Sequence, residues 1–248
     1  MLSWPHIDFR SEVSVYADDI CIYHKNRSAR FAHLAVQRHL NEIGRWANEW
    51  RININAEKTK AVVFSKRTRL QLPALKLHGE DIEYVPRCPY LGVILDRRMN
   101  WKPHVEVLRG KAHGSLTALS PLLRSSLPSR TKLLLYKTYI RPTMTYAAPA
   151  WAFITKSSML RLQAVQNRAL RLIGGYDRYT RNDFIHSDLQ IVKLKSFMKH
   201  LALKLYGSAK RSRNKCICSL GTGTLIDSRK VPKPVHILDK IKGAQQCA

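Results

Sequence analysis

The chain has 248 residues and is 45% hydrophobic, so it can bury a globular core and is not a disordered tail. Lys and Arg number 43 against 17 Asp and Glu, and this net charge of +26 predicts a polyphosphate partner. An anionic membrane surface or an acidic protein is the alternative. No apolar run approaches the roughly 20 residues that span a bilayer, and the N-terminus lacks a signal-peptide pattern. The five cysteines have no zinc-site spacing, which indicates reduced thiols in an intracellular protein.

The first strand pattern lies at residues 12–24 and surrounds Asp18 and Asp19. Apolar residues alternate with polar ones on both sides of this pair, at Val13, Val15, Ile20 and Ile22. The alternation predicts a β-hairpin that holds two adjacent carboxylates at its tip. Neighbouring carboxylates repel each other unless a cation offsets their charge, and Mg²⁺ takes such ligands. A polar turn that binds no metal is the alternative.

A helix and further strands are predicted after the hairpin. The helix is expected to begin at Asn26 or Ser28 and to have apolar residues at Val36, Leu40, Ile43, Ala47 and Trp50. Short strands are predicted at residues 52–55 and 61–64. A second hairpin is predicted over residues 75–84, and residues 90–96 are expected to form one extended stretch. This order of elements predicts an α+β fold.

Helical patterns replace strand patterns beyond Trp101. Pro103 suits a first helical turn, and a helix over residues 129–140 is expected to end before Pro142. Another helix is expected to be capped by Ser157 or Ser158 and to end at Gly174-Gly175. Its inner face is predicted at Leu162, Val165, Ala169 and Leu172.

The last predicted helix ends at Gly207 and is followed by a basic tail. Its inner positions are expected at Ile191, Leu194, Met198, Leu201 and Leu205, and its outer positions at Lys193, Lys195, Lys199 and Lys204. The tail begins with the cluster at residues 210–215, which suits either a nuclear signal or solvated charge.

Three motifs in this order resemble the reverse transcriptase of non-LTR retrotransposons, the jockey-like lineage in particular. Tyr16-Ala17-Asp18-Asp19 is similar to polymerase motif C of that family, and Asn55-Ala56-Glu57-Lys58-Thr59 is similar to motif D. Tyr90-Leu91-Gly92 is similar to motif E, the primer grip. The resemblance covers roughly residues 12–206, and the ordered set of motifs is far more specific than any one of them.

The resemblance implies the C-terminal part of a right-hand polymerase fold. Residues 1–101 would form a partial palm, residues 102–206 a helical thumb and residues 207–248 the basic tail. It also implies RNA-templated synthesis of DNA on a DNA primer, with Mg²⁺ ions between the attacking and leaving oxygens. Action on chromosomal DNA would require the nucleus.

The resemblance also implies roles for single residues in the partial palm. Asp18 and Asp19 would bind metal, Tyr16 would lie near the primer end, and Lys58 would protonate or neutralise the leaving pyrophosphate. A solvated lysine is the alternative for Lys58. Leu91 and its two neighbours, Tyr90 and Gly92, would contact the primer backbone, with an ordinary buried strand as the alternative.

Three arginines of the implied thumb are candidate contacts to duplex phosphates. Arg161, Arg168 and Arg171 lie largely off the apolar face of their predicted helix. A solvated helix face is the alternative.

Parts of the family pattern are not found in the chain. The third palm carboxylate (motif A), the nucleotide-pocket motif B and the fingers have no counterpart, and Asp8 lies too close to the hairpin to serve as motif A. The expectation is therefore a polymerase segment that is active in a full-length parent and inactive alone. A non-catalytic nucleic-acid-binding protein and a relic without function are the alternatives.

Overall fold

The computed structural model describes residues 11–65, 71–214 and 217–218. The chain divides into two compact units, Met1–Met99 and Asn100–Ala248, called here the first and the second unit. The first unit contains small sheets and one long helix, and the second is helical. The α+β class predicted from the sequence is confirmed. No helix among the described residues has the length and apolar character needed to cross a bilayer.

The predicted hairpin around Asp18 and Asp19 is confirmed. Strand β1 (Ser11–Tyr16) pairs antiparallel with β2 (Asp19–His24), and Tyr16 lies opposite Asp19, which leaves a two-residue turn. Ala17 has a φ of 52° in this turn, in the left-handed region that tight hairpins use. Ile22 packs against the core of the first unit, whereas Val15, nearer the turn, is 51% exposed. The hairpin therefore carries its tip away from that core.

Helix α1 (Ala29–Glu49) lays one face on the sheets of the first unit. Leu40, Ile43 and Ala47 are buried as predicted, but Trp50 lies at the helix end and is exposed. Ser28 is the N-cap residue without a side-chain capping bond, and its N–H donates to Asn26 Oδ1 at 3.0 Å.

A three-stranded sheet packs under α1. Strands β3 (Lys60–Ala61), β4 (Leu75–Leu77) and β5 (Glu80–Tyr84) are ordered β3-β5-β4, with β3 parallel to β5. The core consists of Leu40, Ala56, Leu75, Leu77 and Ile82. The strand predicted at residues 52–55 is wrong, and the one at 61–64 is reduced to its first residue. Asn55 instead begins a turn, because asparagine side chains compete for backbone donors.

The stretch at residues 90–96 is a hairpin and not one extended strand. Strand β6 (Arg87–Tyr90) pairs antiparallel with β7 (Val93–Asp96), and Leu91-Gly92 forms the turn between them. Both turn residues are left-handed, with φ of 46° and 77°. Such turns match the twist of the flanking strands, and Gly92 adopts the required conformation at no steric cost.

The second unit contains eight helical segments among its described residues. They are α2 (Lys102–Arg124), α3 (Ser129–Leu135), a π-helical turn (Tyr136–Ile140), α4 (Arg141–Thr145), α5 (Ala148–Trp151), α6 (Lys156–Gly174), α7 (Asn182–Asp188) and α8 (Leu194–Lys210). Pro103 lies in the first turn of α2, as predicted. The largest fully buried side chains of this unit include Trp151, Tyr136, Leu116 and Leu162.

Several helix boundaries differ from the prediction. Pro142 does not end a helix, because it falls in the first turn of α4, where a missing N–H is tolerated. Thr155, and not Ser157 or Ser158, caps α6, and its Oγ1 accepts from the Ser158 N–H at 3.3 Å. Gly175 ends α6 with a φ of 66°, which confirms the Gly-Gly stop.

The last helix also differs from the prediction. Ile191 is buried but precedes α8, and Leu205 is 50% exposed. Ala202 and Ala209 are buried on this helix instead, and α8 continues through Gly207 to Lys210. The four outer lysines are exposed, as predicted. Most of the predicted tail lies outside the described residues.

Candidate catalytic site and nucleic-acid interface

The tip of the β1–β2 hairpin presents both predicted metal ligands to solvent. Asp18 occupies the turn, Asp19 begins β2, and both side chains are exposed. Tyr16 ends β1 opposite Asp19 and is 65% exposed. The strands pair in register up to Tyr16 and Asp19, so Asp19 projects from paired backbone and Asp18 from the turn itself.

In the described part of the chain, the donor set at this tip is limited to the two carboxylates. Among the described residues no three or more His, Cys, Asp and Glu side chains are grouped so that they could hold a metal ion. Nearby Cys21 is half-buried, and burial, with a smaller contribution from Cys88, raises the pKa of its thiol. A protonated thiol is a poor metal ligand. Two carboxylates suit one Mg²⁺ that completes its shell with water and phosphate oxygens.

The Asn55–Thr59 stretch is a turn that its own side chains close. Asn55 Oδ1 accepts from the Lys58 N–H at 2.8 Å, and the Asn55 carbonyl accepts from Thr59 Oγ1 at 2.8 Å. The Thr59 N–H also donates to that carbonyl at 3.2 Å. These bonds leave the Lys58 side chain exposed. Asn55 and Thr59 therefore close the turn that carries Lys58, which explains an asparagine and a threonine at these two positions.

The Tyr90-Leu91-Gly92 stretch forms the tip of the β6–β7 hairpin. Leu91 is 37% exposed and Gly92 is exposed, whereas Tyr90 is half-buried. The Tyr90 hydroxyl is buried and finds no hydrogen-bond partner within the described part of the chain. The structure records no hydrogen bond or ion pair that joins Tyr90 or Lys58 to the Asp18-Asp19 turn.

A cavity of about 350 Å³ lies elsewhere in the first unit, at the C-terminal end of α1. Its polar lining comes from Asn48, Arg51, Asn53, His78 and Glu80. None of the predicted site residues lines it, although Ala56 of the Asn55–Thr59 stretch does.

The three candidate arginines of α6 differ in their surroundings. Arg161 and Arg168 are exposed; Arg161 pairs with Glu106, and Arg168 Nη1 donates to His113 Nε2 at 3.3 Å. Arg171 is half-buried, and its guanidinium donates to the Asp177 and Thr180 carbonyls and to Asn182 Oδ1. Arg171 therefore holds the loop after α6.

That loop carries an exposed aromatic residue that the sequence analysis did not single out. Tyr179 is 83% exposed and lies between Arg178 and Arg181. The signal in the sequence is the Arg-Tyr-Thr-Arg stretch two residues after the Gly-Gly helix stop, where an aromatic ring has no helical face to join.

Comparison with known proteins defines the class. Residues 3–95 match the family "Reverse transcriptase (RNA-dependent DNA polymerase)". This match includes Asp18 and Asp19, the Asn55–Thr59 turn and the turn between β6 and β7. The chain therefore belongs to the reverse transcriptases, which gives the paired carboxylates at the hairpin tip a family context.

The relatives define the lineage. The chain is 30% identical over 213 residues to "Probable RNA-directed DNA polymerase from transposon X-element" of Drosophila melanogaster, covering 85% of this chain and 23% of that protein. It is 28% identical over 218 residues to "RNA-directed DNA polymerase from mobile element jockey" of the same organism, covering 87% and 24%. It is thus a reverse transcriptase sequence of the jockey-like non-LTR retrotransposons. It spans about a quarter of the length of these curated relatives. No solved structure matches the chain significantly.

Proposed function

We propose that the chain contributes a partial palm and a thumb to an RNA-directed DNA polymerase that uses an RNA template and a DNA primer. The observation that carries this proposal is the exposed Asp18-Asp19 pair at the turn of a β-hairpin. The pair lies inside the segment that matches the reverse transcriptase family. In this proposal the protein acts in the nucleus, where chromosomal DNA is available.

The residues at the hairpin tip have distinct roles in the proposed reaction. Asp18 and Asp19 would hold Mg²⁺, which supplies positive charge at the reacting phosphates. The exposed Tyr16 ring lies beside the carboxylates, and the primer end can pack against this ring. Lys58, on the turn that Asn55 closes, would protonate the leaving pyrophosphate or neutralise its charge.

Other exposed residues suit contact with the nucleic-acid backbone. Gly92 has no side chain to hold a phosphate away from the β6–β7 turn, and Tyr90 and Leu91 directly precede it. Arg161 and Arg168 are the cations of α6 that we assign to duplex phosphates. Arg171 is left out of this set, because its guanidinium already makes three hydrogen bonds within the protein.

A chimaera tests the catalytic part of the proposal. Residues 11–96 of this chain replace their counterpart in the jockey polymerase, and primer extension is measured on an RNA template with Mg²⁺. We expect extension, and we expect Asp18→Asn to reduce it by about 100-fold or more, because a charge that stabilises the transition state is lost. Asp81→Asn, which removes an exposed carboxylate from another hairpin, is the matched control. Full activity of the Asp18→Asn chimaera would contradict the proposal.

The excess of positive charge favours a second candidate function, a non-catalytic nucleic-acid-binding module. Binding and primer-extension assays of the chain on its own distinguish the two candidate functions. We expect it to bind an RNA–DNA duplex with strong salt dependence, and not to extend the primer, because two carboxylates provide too few ligands for two metal ions. Extension that depends on Asp18 would show that the chain is active alone. An inactive chimaera with duplex binding unaffected by Asp18→Asn would favour the binding module.

A further inference from the structure

The loop between α6 and α7, taken here together with the first residue of α7 as residues 175–182, combines an aromatic ring with cations at the surface of the second unit. Tyr179 is 83% exposed, which is the highest exposure among the large hydrophobic residues of the described chain. Arg178 and Arg181 on either side of it are also exposed. The Arg178 Cζ atom lies 5.1 Å from the centroid of the Tyr179 ring, a distance at which a cation is attracted to the ring face.

Arg171 holds the 175–182 loop against α6. Its guanidinium donates to the Asp177 carbonyl, to the Thr180 carbonyl at 3.0 Å and to Asn182 Oδ1 at 2.9 Å. The Thr180 N–H closes a turn by donating to the Asp177 carbonyl at 3.1 Å. One side chain therefore fixes two loop carbonyls and Asn182, the first residue of α7.

Tyr176 anchors the start of the loop. Its ring meets Phe184 edge to face at 6.2 Å between centroids, and its hydroxyl donates to Asp188. Partial burial, and then the hydrogen bond to Asp188, raise the pKa of Tyr176 to about 12, so the phenol remains a donor at neutral pH. A Cβ at Gly174 would overlap the Tyr176 ring, so this packing depends on the glycine.

Two of the three acidic residues near the loop are engaged within the protein, and the third, Asp177, is an exposed loop residue outnumbered by Arg178 and Arg181. Asp183 pairs with Lys193 at 2.7 Å, and Asp188 accepts from Tyr176. The tip is therefore cationic and aromatic on a backbone whose conformation is already fixed. Such a surface fits a polyanion with exposed flat rings, because a base can stack on the tyrosine while arginines contact phosphates.

We propose that the 175–182 loop binds single-stranded nucleic acid, with an unpaired base stacked on Tyr179 and an adjacent phosphate on Arg181. The inference rests on the proposed nucleic-acid function but does not require polymerase chemistry. Nucleic acid is favoured over an anionic membrane or an acidic protein, because part of the chain matches the reverse transcriptases and because a base offers a flat ring that can stack on Tyr179.

Fluorescence anisotropy with the full chain tests the stacking contact. The probe is a labelled single strand of about 12 nucleotides, compared with a blunt duplex of the same sequence. We expect Tyr179→Ala to weaken single-strand binding by about 5- to 100-fold, the range expected for loss of one stacked base, and to leave duplex binding unchanged. Tyr179→Phe keeps the ring and should bind like the unmodified chain.

Tyr139→Ala is the matched control, since Tyr139 is 62% exposed on the π-helical turn and lies outside the loop. Arg181→Gln tests the phosphate contact, and it should reduce the slope of log affinity against log salt by about 0.7. The proposal is overturned if Tyr179→Ala behaves like Tyr139→Ala, or if single-strand and duplex binding fall equally. Either result leaves the chimaera experiment, and with it the proposed polymerase function, unaffected.

Discussion

At the scale of single residues, the Gln37 side chain completes the edge of a sheet. Its Nε2 donates to the Lys76 carbonyl at 2.8 Å, and its Oε1 accepts from the Lys76 N–H at 2.8 Å. Lys76 is the central residue of β4, the edge strand next to β5. The carboxamide therefore makes the pair of bonds that a further strand would make, and it ties α1 to the sheet.

Removing this carboxamide should destabilise the first unit. We expect Gln37→Ala to lower the free energy of unfolding by about 1–2 kcal/mol, because two backbone groups lose their partners. Gln37→Glu should have an intermediate effect, since a carboxylate can accept from the Lys76 N–H but cannot donate to its carbonyl. Urea unfolding followed by circular dichroism measures the change. Arg38→Ala, at the exposed neighbouring position, is the control, and an equal effect there would refute the role of Gln37.

The residues of the candidate site, and others such as Gln37, differ in how far the sequence could predict their positions. Asp18 and Asp19 could be placed at a hairpin tip, because alternation on both sides fixes the register and hence the turn. Gln37 could not, because nothing local marks a polar helix residue for a partner 39 positions away. Helical periodicity predicts an exposed position for Arg171, because periodicity takes no account of the loop that folds back onto α6.

At the scale of elements, a buried polar network joins α6 to its neighbours. Gln166 is fully buried, and its Nε2 donates to the Tyr136 hydroxyl at 2.9 Å and to the Val192 carbonyl at 3.1 Å. Tyr136 is also fully buried, and burial is the main reason that its pKa is raised to about 12. The Tyr136 hydroxyl therefore stays neutral, and because it is buried it needs a hydrogen-bond partner inside the protein.

Gln166→Leu should lower the free energy of unfolding of the second unit by about 1–3 kcal/mol, because the Tyr136 hydroxyl is left buried without its partner. Adding Tyr136→Phe should recover part of this loss, because the stranded hydroxyl is then absent. A double-mutant cycle from urea unfolding measures the coupling. Leu160→Ala, at a 56% exposed position of α6, is the control. Additive effects of the two changes would show that the contact carries no coupling energy.

The elements themselves were predictable where a strong local signal agreed with packing. Gly175 ends α6 because a left-handed C-cap favours glycine, and that signal needs no partner. Gly207 also predicts a helix end, but α8 continues to Lys210 and buries Ala209. Packing therefore outweighs the modest free-energy cost of a glycine inside a helix. Residues 52–55 alternate like a strand yet pair with no strand in the described part of the chain, and pairing cannot be read from one segment alone.

At the scale of the whole molecule, the two units bury their cores to different extents. The first unit spreads its described strands over sheets of two or three strands, and no described strand pairs with the outer edge of β1. Among the largest fully buried side chains of the described residues, Ile82 alone belongs to the first unit. The second unit holds the other eleven, six of them on its helices of 23, 19 and 17 residues and five on its shorter helical segments.

This difference predicts the order in which backbone amides exchange with solvent. Two-stranded ribbons are marginal in water, and segments with few buried contacts open at low free energy. We therefore expect β1 and β2 amides to exchange before those of α2 and α6, measured on the intact chain by hydrogen exchange and mass spectrometry. Repeating the measurement at higher salt controls for charge repulsion, which screening would weaken throughout the chain. Slower exchange in the β1–β2 hairpin than in α6 under both conditions would mean that the first unit is the more stable one.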